Sequence, residues 1–480
     1  MKIFSHLAGY APVNLAAAIA SFGGVYVFTR LMAPEEYGVY ALALWGMAMV
    51  HTFSLCWVEA AGYRFAGAAE AADDLPTHYR TALRLLPRAL FVGLLITGGL
   101  WFVFRDQPLY ASTLPWIGVL LPVNTLVQTS LEMHKAGQRV SRYAFTATFR
   151  LLVGFALGAL ACVFTGLGAA APLAGLATAT AIMAVRELSY MIKASHGGRI
   201  DKDRFKAWAA YGMPIAAALF LDQVVSGIDR PMIAALMPDG EAAVGAYAAG
   251  YGVADKTVLL ICAWAAMAGS PLVMAAYERG GADAARDAAR NMISTLLLLG
   301  VPAAVGLALV AEPLAEAMIG EAVRDAAQQI IPWIAIAGLL NGLLIHYFSE
   351  SFQLAHKTHQ RAVLMLVPAV VNIGLNFVLI PKFGLMGAVG TTLISYTIGI
   401  LLLGIVGRRH VALPVPLMDL LKIGVAAGLM WPAIAVIPSL GSWPELFLKA
   451  GVGGLVYVVA AFALNAGGAR QFVRDKLNRG

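Results

Sequence analysis

The chain has 480 residues, 60% of them hydrophobic and only 13% charged, with a formal net charge of +7. A soluble protein is about 25% charged, and no soluble interior of this size accommodates so many apolar side chains, whereas a bilayer does. Cys56, Cys162 and Cys262 lie far apart inside apolar runs, which excludes a disulfide framework; the positive charge reads as basic loops against anionic membrane lipid, not as nucleic-acid binding.

The apolar runs predict fourteen membrane helices, over residues 9–30, 38–61, 83–104, 110–131, 144–166, 168–192, 210–236, 244–275, 291–311, 327–349, 362–380, 386–407, 417–437 and 445–465. Each run is continuously apolar over about 20 residues, which suits helices, whereas barrel strands alternate over about 10. The first run is too long for a cleavable signal core and is expected to be retained. With the N-terminus in the cytoplasm, 27 of the 34 Lys and Arg residues fall on the cytoplasmic side. The other seven are Arg30, Arg105, Arg230, Lys256, Arg324, Lys382 and Lys449. That asymmetry places both termini in the cytoplasm, with the basic tail from Gly467 to Gly480 along the inner surface.

The chain contains an internal repeat. Leu31-Met32-Ala33-Pro34 followed by Gly38-Val39-Tyr40 is echoed by Leu236-Met237-Pro238 followed by Gly245-Ala246-Tyr247, with Pro12 and Pro214 in the preceding spans. His134-Lys135-x-x-Gln138-Arg139 is echoed by His356-Lys357-x-x-Gln360-Arg361, an offset of 222. The expected organisation is an N-lobe (1–192), a cytoplasmic linker (193–209), a C-lobe (210–407), and two extra helices with a basic tail (408–480). A six-helix unit keeps both copies in the same orientation, with a pseudo-two-fold along the membrane normal. Two such bundles around a central cavity suit alternating access.

Three motifs carry a resemblance to a known family. Phe28-Thr29-Arg30-Leu31-Met32-Ala33-Pro34-Glu35-Glu36-Tyr37-Gly38-Val39-Tyr40 resembles the first-turn signature of the polysaccharide flippases of the multidrug/oligosaccharidyl-lipid/polysaccharide exporter superfamily. Ser226-Gly227-Ile228-Asp229-Arg230 resembles that family's seventh-helix motif, and Pro381-Lys382-Phe383-Gly384-Leu385-Met386-Gly387-Ala388 its eleventh-to-twelfth turn. The resemblance implies a MATE-like, all-α polytopic fold of two six-helix lobes plus two helices. It also implies translocation of an undecaprenyl-pyrophosphate-linked oligosaccharide from the inner to the outer leaflet of a bacterial inner membrane, for surface polysaccharide biosynthesis. A polysaccharide polymerase and co-polymerase are the protein partners to expect.

An ionised side chain inside a bilayer costs about 2.5–3.5 kcal/mol on insertion scales, so each one asks for a reason. Asp222, Ser226 and Asp229 stand at i, i+4, i+7, which is one helix face. Tyr247, Tyr251 and Asp255 stand at i, i+4, i+8, with Lys256 beside them. A pyrophosphate needs cations that replace water, which singles out Arg30, Arg150, Arg230 and Lys256; Tyr247 and Tyr251 offer faces for sugar rings. Asp222, Asp229, Asp255 and Glu350 are candidates for coupling to protons or sodium, and His346 with Glu350, at i, i+4, is a candidate relay. The blander readings are that Arg30 and Arg150 snorkel to the interfaces and that the acids pair across helix contacts. On the same footing, Asn372 with Asn376 is interhelical glue, and the two His-Lys-x-x-Gln-Arg turns are solvated anchors on anionic lipid. No nucleotide-binding, metal-ligating or hydrolase motif is present, so neither enzyme chemistry nor a cofactor is expected. Two rival readings stand beside the flippase: a multidrug or cation antiporter of the same superfamily, and a membrane-embedded glycosyltransferase or polymerase. The short external turns weigh against the second of these.

Overall fold

The computed structural model describes residues 2–470, and these are helical with no strand among them. The residues of the expected basic tail beyond 470 lie outside the described residues. In chain order the helices are α1 (Lys2–Leu31), α2 (Pro34–Ser54), α3 (Cys56–Ala71), α4 (Leu75–Phe104), α5 (Pro108–Ala136), α6 (Val140–Phe164), α7 (Ala171–Ala194), α8 (Lys202–Gly227) and α9 (Asp229–Leu236). They continue with α10 (Gly240–Leu309), α11 (Ala311–Met318), α12 (Glu321–Leu343), α13 (Glu350–Leu354), α14 (Thr358–Phe383), α15 (Leu385–Gly407), α16 (Leu417–Gly428), α17 (Met430–Ala435) and α18 (Ser442–Ala463).

Local chemistry explains the boundaries. At the first motif Pro34 takes the first position of α2, where its missing N–H is not needed. Glu36 then reaches back to accept the Ala33 N–H at 3.0 Å, the acidic half of a capping box. Asp201 caps α8 by accepting the Asp203 and Arg204 N–H groups at 2.9 and 3.1 Å. Large apolar side chains stand on the outside: Phe164, Val185 and Phe447 are 78%, 70% and 69% exposed. That is costly in water and favourable in lipid.

Several expected spans are broken. The span expected over 38–61 is α2 plus α3, bent by 56° at Leu55. The span expected over 210–236 ends as α8 at Gly227 and restarts as α9. At 1.5 Å per residue the 70 residues of α10 would be about 105 Å long, against a hydrocarbon core of about 30 Å. The helix is broken at Gly281, whose φ of 68° and ψ of −155° only glycine adopts cheaply. Twelve helices among the described residues are long and apolar enough to cross a membrane, thirteen if α2 and α3 cross as one span. Fourteen crossings therefore require that bent pair to act as one span and the two halves of α10 as two.

Packing divides the described residues into two compact units: those up to 231 with 239–245, and 232–238 with those from 246 on. This boundary falls later than the 193–209 linker suggested by the repeat, because α8 packs on α3 within the first unit. The core of the first unit gathers Leu55, Val58, Tyr79, Ala82, Leu121, Met191 and Trp208. A second cluster joins Leu114, Ile117, Leu120 and Leu173. In the second unit α15 packs on α12 and α14, and α18 packs on α11, α16 and α17.

The repeat appears in the backbone, with one correction. The turn after α5 closes with Arg139 N–H to His134 O at 2.8 Å and Gln138 N–H to Lys135 O at 3.1 Å, Gln138 being left-handed at φ 52°. The turn after α13 closes with Lys357 N–H to Phe352 O at 2.8 Å and His356 N–H to Gln353 O at 3.1 Å, with His356 at φ 55°. Both are Schellman turns. They are 218 residues apart, so the 222-residue sequence match is one helical turn out of register. The structural equivalents of His134 and Arg139 are Phe352 and Lys357.

The first-turn repeat makes a reciprocal contact inside the first unit. A Cβ on Gly38 would run into the Glu241 carbonyl, and a Cβ on Gly245 into the Pro34 carbonyl. Pro34 and Glu241, like Gly38 and Gly245, are 207 residues apart. Each glycine thus admits the backbone of the other copy at the same place.

Candidate functional site

Three of the four proposed cations belong to the first unit. Arg30 is exposed in the last turn of α1, where a cation complements the helix dipole. Its Nη1 donates to the Tyr26 carbonyl at 2.8 Å, and its guanidinium lies 4.0 Å from the Tyr26 ring centre. Arg230 is half-buried at the start of α9, with Nη1 donating to the Ser226 carbonyl at 3.3 Å. Arg150 is half-buried in the middle of α6. Its Nη1 donates to Asn124 Oδ1 on α5 at 2.8 Å, while its Nε is buried with no hydrogen-bond partner among the described residues.

The polar stripe expected on the seventh span is not a single face. It presumed an unbroken helix, and the helix stops at Gly227. Asp222 and Ser226 are partly exposed on α8, whereas Asp229 is fully buried at the start of α9. Gln223, between them, donates to Thr52 on α2 at 2.7 Å.

In the second unit Tyr247, Tyr251 and Asp255 do share a face of α10, and all three are buried. The two rings pack 5.6 Å apart, and the Tyr251 hydroxyl lies 3.4 Å from that of Tyr396. The tyrosines are therefore core residues in this conformation and present no open face to a sugar. Lys256 is exposed on the opposite side of the helix. Glu350 is 4% exposed at the start of α13, just after a π-helical turn at Leu344–Phe348 that resets the helix phase. Its Oε1 accepts from the Ser270 hydroxyl rather than from His346, and its Oε2 is buried with no partner among the described residues. Asn376 donates to Asn372 Oδ1 at 3.0 Å within α14, and both side chains are buried.

A densely connected polar cluster lies away from the expected site residues. Glu187 on α7 is completely buried in the first unit. Its Oε2 accepts from His134 Nε2 at 2.8 Å and from Ser130 Oγ at 2.7 Å, and its Oε1 accepts from Thr146 Oγ1 at 3.1 Å. Arg142 Nε donates to both oxygens at 3.3 Å, with its guanidinium 3.9 Å from the Tyr190 ring centre. One carboxylate thereby ties α5, α6 and α7 together. The first His-Lys-x-x-Gln-Arg turn is correspondingly not a solvated anchor: His134 is fully buried, and Arg139 donates to the Tyr79 and Tyr190 hydroxyls. The signal for this cluster was an acid inside the apolar run 168–192, with Ser130 and His134 at i, i+4. A smaller pair, His51 Nε2 to Glu59 Oε1 at 3.0 Å, bridges the bend between α2 and α3.

A family model described as "Polysaccharide biosynthesis protein" matches residues 27–328, and one described as "Lipid II flippase MurJ" matches residues 271–450. No curated protein matches. Among solved structures the chain is similar to a lipid II flippase MurJ in an inward closed conformation, with TM-score 0.73 and 14% identity over 96% of this chain and 99% of that one. It is also similar to an inward-facing multidrug resistance MATE family transporter of the MOP superfamily, with TM-score 0.63 and 14% identity over 82% and 94% of the two chains. For the eukaryotic MATE transporter AtDTX14 the TM-score is 0.57 and the identity 13%, over 84% and 98%. At these identities the likeness establishes a MATE-like helical membrane fold.

Proposed function

Since the chain belongs to the polysaccharide biosynthesis protein family, we propose that it is a flippase that moves an undecaprenyl-pyrophosphate-linked oligosaccharide from the cytoplasmic to the periplasmic leaflet by alternating access. The protein resides in a bacterial inner membrane with both termini cytoplasmic, its repeat-related lobes spanning 1–192 and 210–407. Arg150 is the observation that carries this reading. A guanidinium in the middle of a membrane helix has one arm fixed by Asn124 and a buried N–H left over. Such a group is expensive unless an anion completes it, and a pyrophosphate head group is such an anion. Arg30, Arg230 and Lys256 serve the same head group at other stages of its passage. Coupling to a proton or sodium ion, if the cycle uses one, is assigned first to Glu350, whose carboxylate accepts from Ser270 at one oxygen and has no partner at the other among the described residues, ahead of Asp222, Asp229 and Asp255.

The test is complementation of a flippase-null strain, with surface polysaccharide quantified and protein level followed by blot. A charge-assisted hydrogen bond contributes about 1.5–3 kcal/mol. Arg150→Ala should therefore reduce export about 10–100-fold at normal protein level, and Arg150→Lys should restore it only in part because the planar fork is lost. Arg105→Ala, at an exposed turn, should export normally. Wild-type export by Arg150→Ala, Arg230→Ala and Arg30→Ala alike would overturn the reading.

A further inference from the structure

We infer that the first unit carries a built-in site for an anionic glycerophospholipid, on α4 and separate from the cations assigned to the transported head group. Arg80, Arg84 and Arg88 stand at i, i+4, i+8 on α4, so they form one row about 12 Å long. With His196 and the turn after α7 they line an open cavity of about 710 Å³, and no acidic side chain lines it. Arg80 is anchored through the Gly198 carbonyl at 3.0 Å. Arg88 leans over the Phe205 ring at 5.6 Å. Arg84 is exposed, and its guanidinium has no hydrogen bond or ion pair among the described residues. An unneutralised row of three guanidiniums over an apolar floor of Leu83, Pro87 and Ile192 fits a phosphodiester.

The next stretch of the same helix supplies the other half of an amphiphile site. A groove of about 620 Å³, almost wholly apolar, lies among α2, α3, α4 and α8 and is lined by Phe53, Trp57, Val92, Met213, Phe220 and Leu221. Arg88 lines both the basic cavity and this groove. Along α4 the chemistry therefore changes from phosphate-binding to acyl-binding in the order in which a phospholipid presents a head group and then its chains. The charge of the first cavity names the occupant: an anionic lipid fills both halves, whereas a zwitterionic one brings a choline cation to the arginines.

The probe is dioleoyl-phosphatidylglycerol, with dioleoyl-phosphatidylcholine as comparison, titrated onto the full-length protein in detergent and read by native mass spectrometry. Each near-surface cation strengthens binding to anionic lipid about fivefold, so Arg84→Gln with Arg88→Gln should weaken phosphatidylglycerol retention about 25-fold. The matching pair of lysine substitutions should retain most of it. Ala217→Phe, which fills the apolar groove at an exposed position, should weaken retention with the arginines intact. Arg279→Gln with Arg290→Gln, removing two exposed cations of the second unit, should leave it unchanged. Equal retention of the two lipids, or equal loss from the two glutamine pairs, would overturn the proposal in favour of unspecific charge attraction. Displacement of phosphatidylglycerol by equimolar undecaprenyl pyrophosphate would overturn it in favour of a substrate entry site. Neither result depends on whether Arg150 serves transport.

Discussion

The turn after α5 and the turn after α13 are the same piece of backbone with different chemistry underneath. Both close with the same Schellman hydrogen bonds around a left-handed residue. In the first copy the residue one place before the turn's last helical pair is His134, buried against Glu187 of α7. In the second copy that place is taken by Phe352, fully buried against Gly407 of α15, a helix without a single charged residue. Two residues earlier stand Glu132 and Glu350. Glu132 is partly exposed and pairs with Lys135 at 2.5 Å, whereas Glu350 is buried with Ser270 as its donor. Duplication has kept what the main chain needs. The buried polar groups were settled separately in each copy, as sets spanning neighbouring helices, because a buried carboxylate is tolerable only when its donors come with it.

The comparison can be broken most directly at Glu187. Glu187→Ala strands His134, Ser130, Thr146 and Arg142 together, so it should cost about 3–5 kcal/mol. In thermal unfolding of the purified protein this is a large fall in melting temperature. Glu132→Ala removes a partly exposed pair and should cost no more than about 1 kcal/mol. If the two cost the same, the buried network is not what holds α5, α6 and α7 together.

The reciprocal glycines come next. Gly38→Val and Gly245→Val both push a side chain into main chain that cannot rotate away, so each should cost about 1–3 kcal/mol. The sharper expectation is equality: a reciprocal contact should be equally sensitive from either side. A loss at one glycine with none at the other would show that the two copies do not meet as equals.

Glu350→Gln keeps the shape of the side chain and removes its charge. With one donor to disturb among the described residues, it should change stability by less than about 1 kcal/mol, while it alters transport if Glu350 couples an ion. A stability loss as large as that at Glu187 would make it a structural acid after all.

The smallest effect belongs to Asp74, in the short turn before α4. A hydrogen bond from Thr77 and the Arg204 guanidinium at 2.6 Å hold its carboxyl below the usual carboxylate value. A depressed folded-state value means the stabilisation is present above the unfolded value, near 4, and is lost as pH falls through the folded one. The pair is more than a third exposed on the acidic side, so Asp74→Asn should cost about 0.5 kcal/mol at pH 7. The difference from wild type in melting temperature should disappear in acid. Persistence of the difference at pH 3 would rule out this pairing as its cause.

Composition and run length by themselves determined that the chain is a polytopic helical membrane protein, because no solvent but lipid accepts so many apolar side chains in continuous runs. Local motifs determined where helices start: Pro34 with Glu36, and Asp201, act within one turn of chain. The repeat was legible too, but its register was not, because the turn selects for a left-handed position and two main-chain hydrogen bonds rather than for the letters His-Lys-x-x-Gln-Arg. Periodicity placed Tyr247, Tyr251 and Asp255 on one face without saying that the face turns inward. The same reasoning joined Asp222 to Asp229 across a break that only packing reveals, with Gly227 set against Trp45. What the tertiary structure alone decided is which polar side chains find one another. Glu187 and His134 are 53 residues apart, and nothing in the local sequence of either records the donor that makes the other affordable in the membrane.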